Sequence, residues 1–179
     1  IGARGNNEVG ISGINWDVDM MLLSFTSLVS EILEGLEYTL WQRTKYNETN
    51  GEEGSFVVAD NESFGIDRQF CDLQPVWAML HDQLGEAGIL TVVAVDLGAP
   101  GEGAPTMSLG GTYSPLNGTS TAAPHVTGAI ALLYSLPCTT LIEVARENPK
   151  EAARFVREAI LNGVDPLADL EGKTVTGGR

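Results

Sequence analysis

The sequence predicts an α/β fold of three layers, in which a mainly parallel sheet is flanked by helices. Two observations indicate this class: short β-branched segments alternate with amphipathic helical segments, and the β-branched segments are apolar at consecutive positions, as in strands covered on both faces. The chain has 179 residues, 43% of them hydrophobic, which is enough for one domain with a core. We therefore interpret residues 1–179 as belonging to a single domain.

The N-terminal half contains the alternation that predicts the sheet. After a Gly-rich loop, the sequence predicts two helices and three strands by hydrophobic period and by β-branched content. In chain order these are a buried strand at 18–25, a helix at 27–46, a strand at 55–59, a helix at 75–86 and a strand at 89–95. Strands joined through helices of this length indicate βαβ units on a parallel sheet.

The C-terminal half is predicted to be a loop followed by helices. Residues 96–118 are rich in Gly and Pro, which predicts irregular structure. Helical patterns then cover 120–134, 140–147 and 150–161, and the last ends at Asn162-Gly163 as helices commonly do. The chain opens at Ile1 without a methionine and stops in a Gly-Gly-Arg loop, so we interpret it as part of a longer protein.

Composition limits the classes of partner. The formal net charge of −14 argues against nucleic acid and anionic membranes, because phosphate binding needs clustered Lys and Arg. No apolar run approaches the length of a membrane span, so no membrane insertion is predicted. Two cysteines, Cys71 and Cys138, are too few for a disulfide framework, and their spacing leaves their pairing open.

The candidate catalytic residue is Ser120, where a Gly-containing loop meets the predicted start of a helix. A serine at this point has a backbone N–H without a helical acceptor and lies at the positive end of the helix dipole. Such a serine can attack a carbonyl while its own N–H stabilises the developing oxyanion. Serine is also a common helix cap, so the placement alone favours a structural role.

The residues around Ser120 resemble a known family. Gly118-Thr-Ser120-x-Ala-Ala-Pro124-His125-Val126-x-Gly128 resembles the nucleophile motif of the subtilase family of serine peptidases. Other segments are also similar to that family and occur in the same order along the chain. The similarity is strong over residues 96–135 and loose elsewhere. They are the loop Gly5–Gly13, the substrate-pairing segment Asn61–Gly65, the loop Asp96–Gly101 and the approach Gly111–Tyr113.

The resemblance implies a serine endopeptidase of the subtilisin type. Ser120 would form the acyl-enzyme, and Ser63, Phe64 and Gly65 would hold a polypeptide substrate in an extended conformation. No organic cofactor is implied. A structural calcium ion is a weaker expectation, at Gly5, Asn7, Val9 and Ile11, where some subtilases bind calcium through one Asn side chain and backbone carbonyls. Family habit also implies a secreted or extracytoplasmic location.

The sequence departs from the family in two respects, and the chain as it stands is expected to be inactive. The triad Asp and His would both precede Ile1, and we interpret His81 and His125 as structural. The second departure is that Asp96 follows directly after the predicted strand that ends at Val95. The family has a few dozen residues between these positions, including the Asn whose side chain stabilises the oxyanion. The abrupt join favours an interruption of the sequence at this point.

These departures favour an alternative, a non-catalytic relative that binds peptides or serves as a structural remnant. A nucleotide-binding domain is disfavoured because neither glycine-rich phosphate motif occurs.

Overall fold

A computed structural model describes residues 1–26, 28–64, 75–93, 98–108, 110–174, 176 and 178. Within these residues the chain forms five α-helices, four short strands and one 3-10 helix. In chain order they are α1 (Val29–Glu48), β1 (Ala59–Asn61), α2 (Pro75–Ala87), β2 (Leu90–Val92), β3 (Ala104–Met107), β4 (Tyr113–Leu116), α3 (Thr119–Tyr134), α4 (Thr139–Glu147), α5 (Pro149–Asn162) and the 3-10 helix Ala168–Leu170. All five predicted helices have observed counterparts, α1 to α5. The strand predicted at 89–95 appears as β2, and residues 94 and 95 lie outside the described residues.

The parallel pairing predicted from the βαβ pattern is confirmed. Strands β1 and β2 run parallel, with Ala59 opposite Leu90 and Asn61 opposite Val92, and α2 connects them. Both faces of this pair are covered. Because side chains alternate along a strand, Ile89 packs with α1 and α2, whereas Val92 packs with α3, α4 and α5. The structure is therefore helix-rich with small sheets, as expected of an incomplete α/β fold.

An antiparallel hairpin occupies part of the region that the sequence predicts as a loop. Strands β3 and β4 pair antiparallel, with Met107 opposite Tyr113. Gly110 and Gly111 lie in the connection with φ angles of 88° and 78°, a region that glycine enters without steric cost. The prediction missed the hairpin because Pro105 and Pro115, which face each other across it, weaken the sequence signal of a strand.

The predicted strand at residues 18–25 is wrong. No strand forms there, and the segment is largely exposed, with Leu22 at 86%. Leu23 lies beside Gly35 of α1, and the ring of Phe25 contacts that of Phe64 at 4.9 Å. The apolar side chains therefore cover part of the helix and the end of β1. An apolar run becomes a strand only where a neighbouring strand supplies hydrogen bonds, and the described residues place none beside it.

The strand predicted at 55–59 begins later, at Ala59, because a buried side chain binds the backbone before it. Arg43 of α1 is completely buried, and its Nη1 donates to the Val57 carbonyl at 2.7 Å. Its Nε donates to Asn47 Oδ1 at 3.0 Å, and the guanidinium lies 4.2 Å from the centre of the Phe56 ring. Burial lowers the pKa of Arg43 to about 10, so it stays charged at neutral pH. Arg43 thus anchors α1 to the segment that leads into β1.

Among the described residues no single helix is both long and apolar enough to cross a bilayer. The pair α3 and α4 meets the length and hydropathy requirement only jointly, across a bend of 101°.

Candidate active site

Ser120 is the second residue of α3 and is exposed. Its backbone N–H is among the first four of the helix, which have no acceptor one turn earlier. The first turn of α3 contains no acidic residue, so no carboxylate within that turn offsets the positive end of the helix dipole. The structure therefore places Ser120 where the sequence predicts it, with hydroxyl and N–H at the same helix end.

The residue before this helix has a conformation that requires glycine. Gly118 has φ 144° and ψ 162°. A Cβ at Gly118 would come no closer than 3.9 Å to a neighbouring atom, the Ser120 nitrogen, so the requirement comes from the backbone angle and not from crowding. Thr121 secures the turn, because its N–H and its hydroxyl both donate to the Gly118 carbonyl, at 3.0 and 2.7 Å.

The loop before β3 lies against the turn that carries Ser120. The N–H of Gly118 donates to the Gly101 carbonyl at 2.7 Å, and the N–H of Gly103 donates to Asn117 Oδ1 at 2.6 Å. A Cβ on Gly101 would lie 2.9 Å from the Gly118 oxygen, so the contact depends on the absence of a side chain. Residues 98–101 of the loop that resembles the family at 96–101 thus lie against the turn before Ser120, while Asp96 and Leu97 lie outside the described residues.

The approach to the turn is tied to the N-terminal loop. The hydroxyl of Tyr113, the first residue of β4, accepts a hydrogen bond from the N–H of Gly10 at 3.0 Å. Further along α3, a Cβ on Gly128 would lie 2.7 Å from Cβ of Ile14, so the N-terminal segment also packs directly on the helix backbone. These two contacts hold the loop Gly5–Gly13 near the helix that bears Ser120.

The predicted substrate segment follows β1 and is joined to α3. Asn61, the last residue of β1, accepts a hydrogen bond from the Thr127 hydroxyl of α3 at 3.0 Å. The Asn61 side-chain amide donates to Ser63 Oγ at 2.8 Å, and the ring of Phe64 packs between Phe25 and Trp77. Gly65 lies outside the described residues. One asparagine therefore links α3 to the segment predicted to bind substrate.

Neither histidine is placed to act on Ser120. The Nδ1 of His125 lies 2.8 Å from the Thr121 carbonyl one turn earlier, so this nitrogen carries the proton and donates to its own helix. The Nε2 of His81, on α2, lies 2.7 Å from Oε1 of Glu62, a residue only 5% exposed. No hydrogen bond joins Ser120 to either ring in the described part of the chain. The structure places His81 half-buried against Glu62, the residue that follows β1.

Two acidic residues, Asp60 and Glu62, lie near His81, and sequence analysis did not identify this cluster. Burial, together with the nearby charge of Glu62, raises the pKa of Asp60 to about 7. The hydrogen bond from His81 to Glu62 raises the pKa of His81. One oxygen of Asp60 is buried and has no hydrogen-bond partner among the described residues. Only the sequence Asp60-Asn-Glu62 at the end of a strand could have pointed to this cluster, and the partner on α2 is visible only in three dimensions.

The loop expected to bind calcium supplies few ligands by itself. The Oδ1 of Asn7 accepts a hydrogen bond from the N–H of Val9 at 3.2 Å, which makes a local turn. The described residues contain no group of three or more His, Cys, Asp or Glu side chains that could hold a metal ion. Gly5, Val9 and Ile11 offer only backbone carbonyls, and calcium requires about six to eight oxygen ligands. These four residues do not fit a complete site, and calcium binding stays a prediction.

Cys138 carries a free, exposed thiol at the start of α4. Within the described residues it forms no disulfide. Cys71 lies outside the described residues.

Comparison with known proteins agrees with the resemblance around Ser120. Residues 86–164 match the Subtilase family. An "Intracellular serine protease" from Paenibacillus polymyxa is 37% identical, in a match that includes 95% of this chain and 62% of the relative. The chain thus spans less than two thirds of that protein. The relative's name gives no support to the expected secreted location.

The same match bears on the break predicted after Val95. It extends over 202 positions, whereas the chain has 179 residues, so at least 23 positions of the relative have no counterpart here. The join of Val95 and Asp96 itself lies outside the described residues.

Proposed function

We propose that the protein containing this chain is a serine endopeptidase of the subtilase family, which residues 86–164 match, and that its nucleophile is Ser120. The observation that carries the proposal is the position of Ser120, exposed in the first turn of α3 beside a glycine turn that only Gly118 can form. A serine so placed presents its hydroxyl to solvent while its N–H points to the same side of the helix end.

In the proposed reaction, Ser120 Oγ bonds to the carbonyl carbon of the scissile peptide, and the oxyanion that forms is stabilised by the Ser120 N–H. The carbon–nitrogen bond then breaks, the amine leaves with the proton that the serine lost, and water hydrolyses the acyl-enzyme. Ser63 and Phe64, with Gly65, would pair with the extended substrate as an additional strand. The hydrogen bonds through Asn61 support this arrangement, because they fix the position of that segment relative to α3.

The general base of this reaction would come from outside residues 1–179. The chain has two histidines, and in the described residues neither is hydrogen-bonded to Ser120: His125 donates to a helix carbonyl, and Nε2 of His81 is bonded to Glu62 and Trp77. A serine hydroxyl without a base is a poor nucleophile. We therefore expect residues 1–179 alone to show no measurable hydrolysis of a denatured protein substrate, and the longer protein to hydrolyse it.

The test is covalent labelling of the longer protein with a fluorophosphonate, followed by peptide mapping. We expect the label on Ser120 and its loss in Ser120→Ala. Ser135→Ala, at the other end of α3, is the matched control and should label as the unchanged protein does. A longer protein that hydrolyses peptides while Ser120 stays unlabelled would disprove the assignment.

The second candidate is a non-catalytic relative that binds extended peptides. Two observations favour it. Neither histidine is hydrogen-bonded to Ser120 in the described residues, and at least 23 positions of the relative have no counterpart in this chain. Binding and labelling experiments on the longer protein distinguish the two functions. Binding of an unstructured peptide without labelling or hydrolysis supports the non-catalytic relative, and labelling at Ser120 supports the endopeptidase.

A further inference from the structure

An open cavity of about 380 Å³ lies beside the segment that leads into β1. The rings of Tyr46, Phe56 and Tyr134 form one side of it, and α4 forms the other, with Ile142 and Arg146 in the lining. The rings contact one another in sequence. Their centroids are 5.0 Å apart for Tyr46 and Phe56, and 5.9 Å apart for Phe56 and Tyr134. The cavity therefore has an aromatic wall.

The cavity lies at the opposite end of β1 from the predicted substrate segment. Phe56 precedes this strand, whereas Ser63 follows it. Helix α3 passes the strand in the opposite direction, because Thr127 bonds to Asn61 at one end of β1 and Tyr134 contacts Phe56 at the other. A ligand in the cavity would therefore not touch the candidate active site.

A buried cation without a carboxylate partner lies behind the aromatic wall. The guanidinium of Arg43 is 4.2 Å from the centre of the Phe56 ring, and the side chain is completely buried. Its Nη2 has no hydrogen-bond partner among the described residues, and no ion pair joins it to a carboxylate in that part of the chain. An unpaired buried charge is costly, so an anion bound close to it would be stabilised.

Two hydrogen-bond donors belong to the cavity wall itself. The hydroxyl of Tyr134 is buried and has no partner among the described residues, and a small rotation of its ring brings it to the cavity. Burial raises the pKa of Tyr134, so the hydroxyl keeps its proton and can donate. Arg146, in the last turn of α4, is the only charged residue in the described lining. The cavity is thus positive in a chain whose net charge is −14.

We propose that this cavity binds a small aromatic carboxylate. The ring of the ligand packs against Phe56 and Tyr46, since flat apolar surfaces favour stacked or edge-to-face contact. The carboxylate accepts hydrogen bonds from Tyr134 and Arg146, and charge-assisted bonds of this kind are the stronger ones. The positive charge of Arg43 behind the Phe56 ring acts in the same direction. An inorganic anion would leave the aromatic wall uncovered, and a neutral ring would leave the donors unpaired.

The test is a titration of the longer protein with benzoate, followed through the NMR chemical shift of the Ala145 amide, which lies in the lining. We expect a dissociation constant of about 1 mM or lower, as a ligand of this size allows. Benzamide keeps the ring without the charge, and acetate keeps the charge without the ring. Each should bind about tenfold more weakly or worse. Ser120→Ala should bind benzoate equally, so failure of the peptidase assignment leaves this result unchanged.

Two variants on different helices test the location. Tyr134→Phe keeps the ring and removes the hydroxyl, and Arg146→Gln removes the charge, so each should weaken benzoate binding about fivefold or more. Arg154→Gln makes the same change of charge on the exposed surface of α5 and should bind as the unchanged protein does. Circular dichroism identifies a variant that fails to fold. The proposal is overturned if benzoate does not bind, if benzamide binds as tightly, or if a folded Tyr134→Phe or Arg146→Gln binds without loss.

Discussion

The hydroxyl of Thr127 donates a hydrogen bond to Oδ1 of Asn61 at 3.0 Å, across the boundary between α3 and β1. Thr127 lies two helical turns beyond Ser120, and it is only 6% exposed. Asn61 in turn donates to Ser63, so one chain of hydrogen bonds connects the helix of the proposed nucleophile with the proposed substrate segment. The relative position of these two elements therefore depends on a single buried polar contact as well as on apolar packing.

Replacing Thr127 by Val should destabilise the fold by about 1–3 kcal/mol, because Oδ1 of Asn61 would lose the hydrogen bond that the Thr127 hydroxyl donates to it. The free energy of unfolding from urea titration measures the loss. Thr140→Val makes the same chemical change at an exposed position of α4 and should stay within about 0.5 kcal/mol of the unchanged chain. Equal effects of the two substitutions would show that the contact does not contribute.

Gly128→Ala should destabilise the chain by about 1–3 kcal/mol, since its Cβ would lie 2.7 Å from Cβ of Ile14. Gly85→Ala is the matched control, because Gly85 is also inside a helix and a Cβ there meets no atom within 4 Å. Alanine favours a helix over glycine, so the control should be neutral or stabilising by up to about 1 kcal/mol. Thermal unfolding compares the two.

A double variant checks the cause of the Gly128 effect. In a chain that already carries Ile14→Gly, the added cost of Gly128→Ala should fall below about 0.5 kcal/mol, because the opposing Cβ is gone. An unchanged cost in that background would point to a cause other than the contact with Ile14.

Arg43→Lys should lower the free energy of unfolding by about 2–4 kcal/mol. Lysine cannot bind the Val57 carbonyl and Asn47 together or lie flat against Phe56 as the guanidinium does. Arg154→Lys is the control, since Arg154 makes its ion pairs with Glu151 and Glu158 on the exposed surface of α5. Its cost should stay below about 1 kcal/mol, and urea titration distinguishes the two sites.

Stability should fall as the pH rises from about 4 to about 7. The pKa of Asp60 is about 7 in the folded chain and 3.8 in the unfolded chain, so in this window the folded state retains a proton that the unfolded state has lost. One such group changes the unfolding constant by at most about tenfold per pH unit. The raised pKa of His81 acts in the same direction, because the stabilisation from its charged form is lost as the pH rises through that pKa.

Asp60→Asn should therefore reduce the slope of stability against pH between about 4 and 7, and the exposed Asp169→Asn should leave it unchanged. Chemical denaturation at several pH values measures the slope. An identical slope in Asp60→Asn and in the unchanged chain would contradict the assignment of the proton to Asp60.

The elements that follow from local pattern were predictable. The helix at 120–134 appears as Thr119–Tyr134, and the helix at 75–86 appears as Pro75–Ala87, because amphipathic spacing and terminal residues act within one segment. The segment at 18–25 was not predictable in this way. Its apolar residues fit a strand, but a strand needs a partner, and the partner is a property of the assembled fold.

The sequence by itself determined the helices, the parallel pair β1 and β2, the glycine at 118 and the position of Ser120 in the first turn of α3. Each of these depends on the conformational preference of nearby residues or on hydrophobic period. The contact between Thr127 and Asn61 and the contact between Glu62 and His81 depend on the tertiary structure. Those features join residues far apart in sequence, and a hydrogen bond of this kind exists only after packing brings donor and acceptor within about 3 Å.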